Sequence, residues 1–211
     1  AIFGNPITDK ISEDHPRDPI NPYGRTKLTV ENFLEHICET HGLNATCLRY
    51  FNAAGAHHSG TLGEAHEPET HLIPNILNRG NYPSENLKVY GDDYDTPDGT
   101  CIRDYVHVED LAQAHLKALE FMQVNKGFYT FNLGNGNGFS VLEVIKACEH
   151  VLGRRVDYQF SDRREGDPPV LIADSAKAID QLGWSPQHTS LESIIMSAYF
   201  WHLNKSEFSL Q

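Results

Sequence analysis

The stretch FYTFNLGNGNGFSVLEVIKACEHVL, residues 128–152, carries two periods and the switch between them. Phe128 to Leu133 alternates as a strand does, with successive side chains on opposite faces. Gly134 to Gly138, a run of glycines spaced by Asn135 and Asn137, breaks that pattern. Ser140 and Glu143 then stand three residues apart ahead of an apolar run, the signature of a capping box, and open a helix to Leu152. A strand that feeds a helix through a glycine turn is the repeating unit of α/β proteins. The glycines follow G-x-G-x-G rather than the G-x-G-x-x-G of dinucleotide sites, so they read as a tight turn and not as a phosphate cradle.

Working outward, the same alternation recurs. Asn21 is a good N-cap and Pro22 suits the first helical position, so a helix runs to Thr40 and stops at His41 and Gly42. Val30, Phe33, Leu34, Ile37 and Cys38 form an apolar stripe along it. Ala45 to Phe51 is a strand, and Asn52 to Glu69 a long aperiodic loop. A short helix at Leu72 to Asn78 precedes a strand at Leu87 to Tyr90. Another loop, Gly91 to Cys101, leads to an extended Arg103 to Val108 and a helix from Asp110 to Phe121. A strand at Val156 to Phe160 and helices at Ser175 to Leu182 and Leu191 to Leu203 complete the pattern. The class is α/β with at least partly parallel pairing, without internal repeats.

Composition bounds the function. A chain of 211 residues, 39% hydrophobic and 22% charged, is an ordinary globular protein of one domain or a domain and a half. Its 29 acidic against 17 basic residues leave a net charge of -12, which excludes the basic face that nucleic acid or an anionic membrane requires. No apolar run approaches the roughly 20 residues that span a bilayer. Cys38, Cys47, Cys101 and Cys148 are scattered, with no CxxC pair, as free thiols in a reducing cytoplasm would be.

Three constellations carry chemistry. Tyr23 and Lys27 lie at i and i+4 near a helix N-terminus, where a cation and the helix dipole favour a phenolate that is scarce at an ordinary pKa near 10. That spacing recurs by chance and does not decide the function alone. Arg163 and Arg164, adjacent in a loop, read first as solvated surface and functionally as bidentate phosphate ligands, whereas Arg103 sits in a more apolar stretch and calls for an anionic partner. His66, Glu67 and His71 approach H-E-x-x-H, but the spacing is one residue too long and Pro68 interrupts it, so no metal site is expected on a helical face there.

In chain order, NPYGRTK (21–27), LRYFNAAGA (48–56), DGTCIRDYVHV (98–108), FNLG (131–134) and RREGD (163–167) together resemble the UDP-glucose (UDP-galactose) 4-epimerases of the extended short-chain dehydrogenase/reductase superfamily. The resemblance covers essentially the whole chain. It implies the C-terminal part of a Rossmann-like parallel sheet (1–56 and 101–139, NAD-binding) plus a smaller mixed α/β domain (57–100 and 140–211) that binds the nucleotide sugar. It implies Tyr23 as catalytic base, Lys27 as its partner and a ligand of the nicotinamide ribose, and Tyr50 against the NAD cofactor. Asn52, Arg103 and Arg164 would contact the diphosphate of a UDP-sugar substrate, and Asp167 a ribose hydroxyl. Leu72, Lys88 and Tyr90 would line the uridine end, with His71 where some members carry an amide. Leu171 would gate the sugar pocket, being smaller than the Tyr that excludes N-acetylated sugars in some relatives.

The family's reaction passes through a 4-keto sugar that turns over before being reduced on its other face. No G-x-x-G-x-x-G occurs in the chain, and the match starts just after the strand that carries the family's catalytic Ser. The resemblance therefore implies a C-terminal portion that alone holds no NAD and does not turn over. Self-association along the open edge of the Ala45 strand is expected, with weak UDP binding surviving. For the full-length enzyme it implies a cytoplasmic homodimer serving galactose metabolism. Two alternatives stay open: a related nucleotide-sugar dehydratase or decarboxylase, and a non-catalytic UDP-sugar-binding module.

Overall fold

Asn21 starts the first helix as its side chain predicts, its Oδ1 accepting the Gly24 amide at 2.8 Å, and Gly42 ends it in the left-handed conformation. The structure, a computed structural model, describes residues 1–78 and 87–208. In chain order the elements are α1 (Pro22–His41), β1 (Ala45–Tyr50), β2 (Asn52–Ala54), α2 (Leu72–Asn78), β3 (Leu87–Tyr90), β4 (Ile102–His107) and α3 (Val108–Val124). They continue with β5 (Phe128–Leu133), β6 (Gly138–Ser140), α4 (Val141–Leu152), β7 (Tyr158–Ser161), β8 (Val170–Leu171), α5 (Ala176–Leu182) and α6 (Leu191–Phe208).

Pairing is mostly parallel. β1 lies along β5 from Ala45 beside Phe128 to Tyr50 beside Leu133, and β3 lies along β7. β4 is the hub: it pairs in parallel with β2 and β8 and antiparallel with β6. Adjacent β4 side chains enter different cores. Tyr105 joins the cluster built from α2, β3, α4 and α6 (Ile76, Val89, Ile145 and Ile194), whereas Val106 joins Leu111, Phe131, Leu133 and Trp184 from α3, β5 and the segment after α5.

The predicted helices and longer strands are present, with differences at the ends. β2, β6 and β8 are additional; each has two or three residues and exists by pairing with β4, so no period announces it. The helix expected from Asp110 begins at Val108 because the His107 side chain acts as N-cap, accepting the Glu109 amide at 3.1 Å. The capping box at Ser140 and Glu143 forms in both directions. β1 has no strand on its other edge among the described residues.

The α1 stripe is not fully packed. Cys38 is buried, but Val30 and Phe33 are 56% and 61% exposed. The buried side chain in this part of α1 is instead Glu31, which accepts from Arg17 at 2.8 Å and from Arg49 Nε at 2.9 Å. Burial pushes the Glu31 carboxyl up, yet the hydrogen bonds from Arg49 and Arg17 outweigh it and hold the carboxyl below its ordinary value. Its folded-state value is therefore depressed, so its contribution is complete above the unfolded value and is lost as pH falls through the folded one. Glu31→Ala should destabilise the fold by about 3 kcal/mol, because it leaves the largely buried Arg49 guanidinium without its carboxylate. Denaturant titration at neutral pH should show that loss, and the gap to wild type should shrink toward acid pH; a pH-independent gap would contradict the ion-pair origin.

Candidate active site

The first residues of the chain, the first turns of α1, the end of β1, the starts of β2 and β4, and residues 166–171 surround one open cleft. Tyr23 and Lys27 both line it and are exposed, with Lys27 Nζ 5.1 Å from the centroid of the Tyr23 ring. The i, i+4 spacing thus brings the two side chains together, with the cation against the ring. Gly24 between them has no room for a side chain: a Cβ would meet the Ala1 carbonyl oxygen at 2.2 Å and Pro19 Cβ at 2.9 Å. This contact seats the first turn of α1 directly on the neighbouring chain and fixes the height of Tyr23 above the cleft.

Tyr50, at the exposed end of β1, and Asn52, half-buried at the start of β2, form a second wall. Arg103 lines a third and is buried in β4; its Nη2 donates to the Asp167 carboxylate and to Pro168 O at 2.8 Å, and its Nη1 to Ile102 O at 2.7 Å. The anionic partner that the apolar setting of Arg103 called for is therefore supplied by the chain itself. Leu171, half-buried in β8, is the register partner of Arg103 and also faces the cleft.

The remaining predicted residues lie elsewhere. Arg164 is exposed and stacks over Tyr90, its Cζ 4.0 Å from the ring centroid, while Arg163 stacks over Tyr94 at 4.3 Å and donates to Asp93 Oδ1 at 2.6 Å. Lys88 is exposed on the same β3–β7 ladder. His71 and Leu72 line a smaller, more enclosed cavity with Asn52, Tyr105 and Trp201, so Asn52 faces both spaces. The 66–71 segment is irregular, and His66 and His71 both turn Nδ1 toward Glu64 Oε1. The argument from helical spacing does not reach such a loop.

Cys47 also lines the cleft, but burial first and the Glu31 carboxylate next push its thiol up to about 11, which keeps it protonated and unreactive. Sequence reasoning missed Asp104, which is fully buried and accepts the amides of Asn135 (2.7 Å), Gly136 (3.0 Å) and Ala173 (3.1 Å). The glycine turn is an amide nest, and its anion is this carboxylate. The signal was weak: Asp104 sits between Arg103 and Tyr105 in sequence, and the glycine turn it meets lies about 30 residues further along the chain.

The chain matches the model of the NAD dependent epimerase/dehydratase family over residues 1–134. The chain belongs to that family. UDP-glucose 4-epimerases from Halalkalibacterium halodurans and Lactobacillus helveticus are 48% and 46% identical over 202 residues, 96% of this chain. The chain spans about 60% of the length of these curated relatives. It superposes on the UDP-glucose 4-epimerase from Stenotrophomonas maltophila with bound NAD and formylated UDP-arabinopyranose at a TM-score of 0.92, with 39% identity over 98% of this chain and 62% of that one. The Bifidobacterium longum UDP-glucose 4-epimerase in complex with NAD+ and UDP gives a TM-score of 0.91 at 38% identity, covering 97% of this chain and 62% of that one. The mixed α/β fold with parallel pairing is thus that of epimerase structures.

Asp104 gives a pH signature for this part of the family fold. Burial, opposed by the three amide donors, pushes its carboxyl up to about 6 from 3.8. The folded chain then holds a proton that the unfolded chain has released, so stability from this group is full below 3.8 and is lost as pH rises through about 6. Relative to Asp104→Asn, which cannot titrate, the wild type should lose on the order of 3 kcal/mol across that window. Denaturant midpoints of the two proteins at several pH values check this; curves that stay parallel would show that Asp104 does not titrate there.

Proposed function

We propose that this chain carries the substrate-binding part and a portion of the cofactor-binding part of an NAD-dependent UDP-glucose 4-epimerase, an isomerase that interconverts UDP-glucose and UDP-galactose. The observation that carries the reading is one cleft with Tyr23 and Lys27 on one wall and buried Arg103, paired with half-buried Asp167, on another. The names of the relatives and neighbouring structures support it.

Tyr23, Lys27 and Tyr50 are accessible together and fit the nicotinamide end of NAD, whereas the chain has no G-x-x-G-x-x-G for the pyrophosphate. NAD, when bound, would supply the redox chemistry at C4 of the hexose. Tyr23 takes the O4 proton in one half of the reaction and returns it in the other, while the Lys27 ammonium balances the phenolate that forms. A hexose that must present both faces tolerates few fixed contacts, so binding energy falls on the diphosphate and uridine. Asn52, Arg103 and Arg164 serve the diphosphate, and Asp167 a ribose hydroxyl. His71, Leu72, Lys88 and Tyr90 serve the uridine end. The bonds from Arg103 to Asp167 and to the carbonyls of Ile102 and Pro168 pre-order the guanidinium, which lowers the entropy lost on binding. Leu171, shorter than Tyr, leaves room for an N-acetyl group.

Residues 1–56 and 101–139 are assigned to the NAD-binding domain and 57–100 and 140–211 to the nucleotide-sugar domain; the separate clusters around Phe131 and around Ile145 support two cores. Exposed Val30 and Phe33 support a homodimer through α1, four free cysteines support a cytoplasmic setting, and the 4-epimerase relatives support a place in galactose metabolism.

In the full-length protein Tyr23→Phe should lower epimerase turnover by about 10²–10⁴-fold with UDP affinity nearly unchanged. Turnover above about a tenth of wild type would remove Tyr23 from the role of base. Arg164→Ala should weaken UDP and UDP-glucose binding alike, by roughly 1.5–3 kcal/mol for a lost charge-assisted hydrogen bond. Isothermal calorimetry checks this, and unchanged UDP affinity would exclude the contact.

A further inference from the structure

Gly24, Glu31 and Cys38 are buried residues of α1, spaced seven apart and so aligned along one side of the helix. Gly24 is pressed against the Ala1 carbonyl, and Cys38 is a small buried thiol. Glu31 is held differently, by a network of directional bonds. Arg49, from β1, sets its fork side-on against the carboxylate, Nε donating to Oε2 at 2.9 Å and Nη2 to Oε1. Arg17, from the segment ahead of α1, donates from Nη1 to Oε1 at 2.8 Å. Arg49 is also fixed from the β5 side. Its Nη1 donates to Glu13 O at 3.4 Å, and Glu13 Oε1 accepts the amide of Asn132, the register partner of Arg49, at 2.6 Å. One carboxylate thus joins α1, β1, β5 and the segment 13–17, beside the cleft that Glu31 and Arg49 both line.

Tyr23, Lys27 and Glu31 stand at i, i+4 and i+8, a single row on α1, and all three line the cleft. A rotation or slide of α1 at Glu31 therefore reaches Tyr23, about 12 Å away along the same rigid helix. Apolar packing does little to oppose that motion in this part of α1, because Val30 and Phe33 are exposed. A buried ion pair is a weak source of stability, since apolar side chains of similar volume often serve as well, but its fixed directions admit one arrangement. Tyr50 follows Arg49 directly in β1 and stands in the second wall of the cleft. The bond from Arg49 to Glu31 is thus the shared reference for both walls.

We infer that Glu31 is a positioning residue: through Arg49 it locks α1 to β1 and so sets where Tyr23 and Lys27 stand relative to Tyr50 and Arg103. The inference rests on the reading of Tyr23 as the base of an epimerase. Both oxygens of Glu31 accept from guanidinium donors, so it acts through the helix and not on the substrate. Misplacing a reacting group by about 1 Å can lower a rate on the order of 10²-fold. The effect falls on turnover, because the residues assigned to the diphosphate and uridine lie outside α1.

Glu31→Gln keeps the size of the side chain and removes its charge. In the full-length protein, at a temperature where circular dichroism shows the variant folded, its kcat should fall by about 10–100-fold. KM for UDP-glucose and the calorimetric Kd for UDP should stay within about twofold, the split expected when only the transition state is affected. Arg49→Lys, which keeps the charge and loses the fork, should show the same split. On a Tyr23→Phe background, Glu31→Gln should lower kcat by less than about threefold more, because residues that act as a unit are not additive. The Arg17 side chain is 34% exposed, so Arg17→Gln serves if a buried variant unfolds, and it should lower kcat by about threefold or more with KM unchanged. A folded Glu31→Gln with wild-type kcat, or Arg17→Gln with wild-type kcat where Glu31→Gln unfolds, would overturn the inference. So would a loss carried by KM, or full multiplication of the two losses in the double variant. A Tyr23→Phe enzyme that turns over as wild type does would remove the reading beneath it, whereas an impaired Tyr23→Phe beside an unimpaired Glu31→Gln would remove the inference alone.

Discussion

The carboxylate of Asp104 is the interaction on which the rest of the molecule leans. It gathers three backbone amides from two distant segments, the glycine turn after β5 and the strand-like stretch after β8. Those amides find their acceptor in this carboxylate, and buried without one each would cost about 1–3 kcal/mol. The glycines follow from this. A Cβ on Gly134 would lie 2.4 Å from Asp104 Oδ2 and 2.5 Å from Ala173 Cβ. A turn that could have received a phosphate has been closed around an anion of its own.

Because Asp104 belongs to β4, the same strand also sets the cleft and the cores. Its neighbours alternate in destination as well as in face: Arg103 toward the cleft, Tyr105 to one hydrophobic cluster, Val106 to the other, and His107 to the cap of α3. Arg103 is therefore held by a strand fixed on every side, and its guanidinium has little freedom to swing.

Most of the skeleton was legible because it rests on local signals. Asn21 with Pro22, Ser140 with Glu143, and the alternation of residues 128–133 each encode their element within a few residues. The short strands β2, β6 and β8 were not legible, since a two- or three-residue ladder has no period and depends on β4, a partner up to about 70 residues away. The site was legible in part. The i, i+4 geometry of Tyr23 and Lys27 is local, and the need of Arg103 for an anion follows from its apolar flanks, but the identity of that anion is set by tertiary contact. Glu31 shows the same limit: it sits beside an apolar stripe in sequence, and only the approach of Arg17 and Arg49 makes its burial affordable.

The pairing of Arg103 with Asp167, and of Arg49 with Glu31, has an effect on how a ligand arrives. Both guanidiniums line the cleft, yet each is neutralised at close range. Beyond a few ångströms an approaching anion meets the field of a chain with net charge -12 rather than a basic funnel. Encounter with a multiply charged anion is then opposed, not steered. Added electrolyte shortens the reach of that repulsion, to about 10 Å at 0.1 M, and so quickens capture. Selectivity for the anion belongs to the last contacts in the cleft, while its rate of arrival is governed by the acidic surface around it.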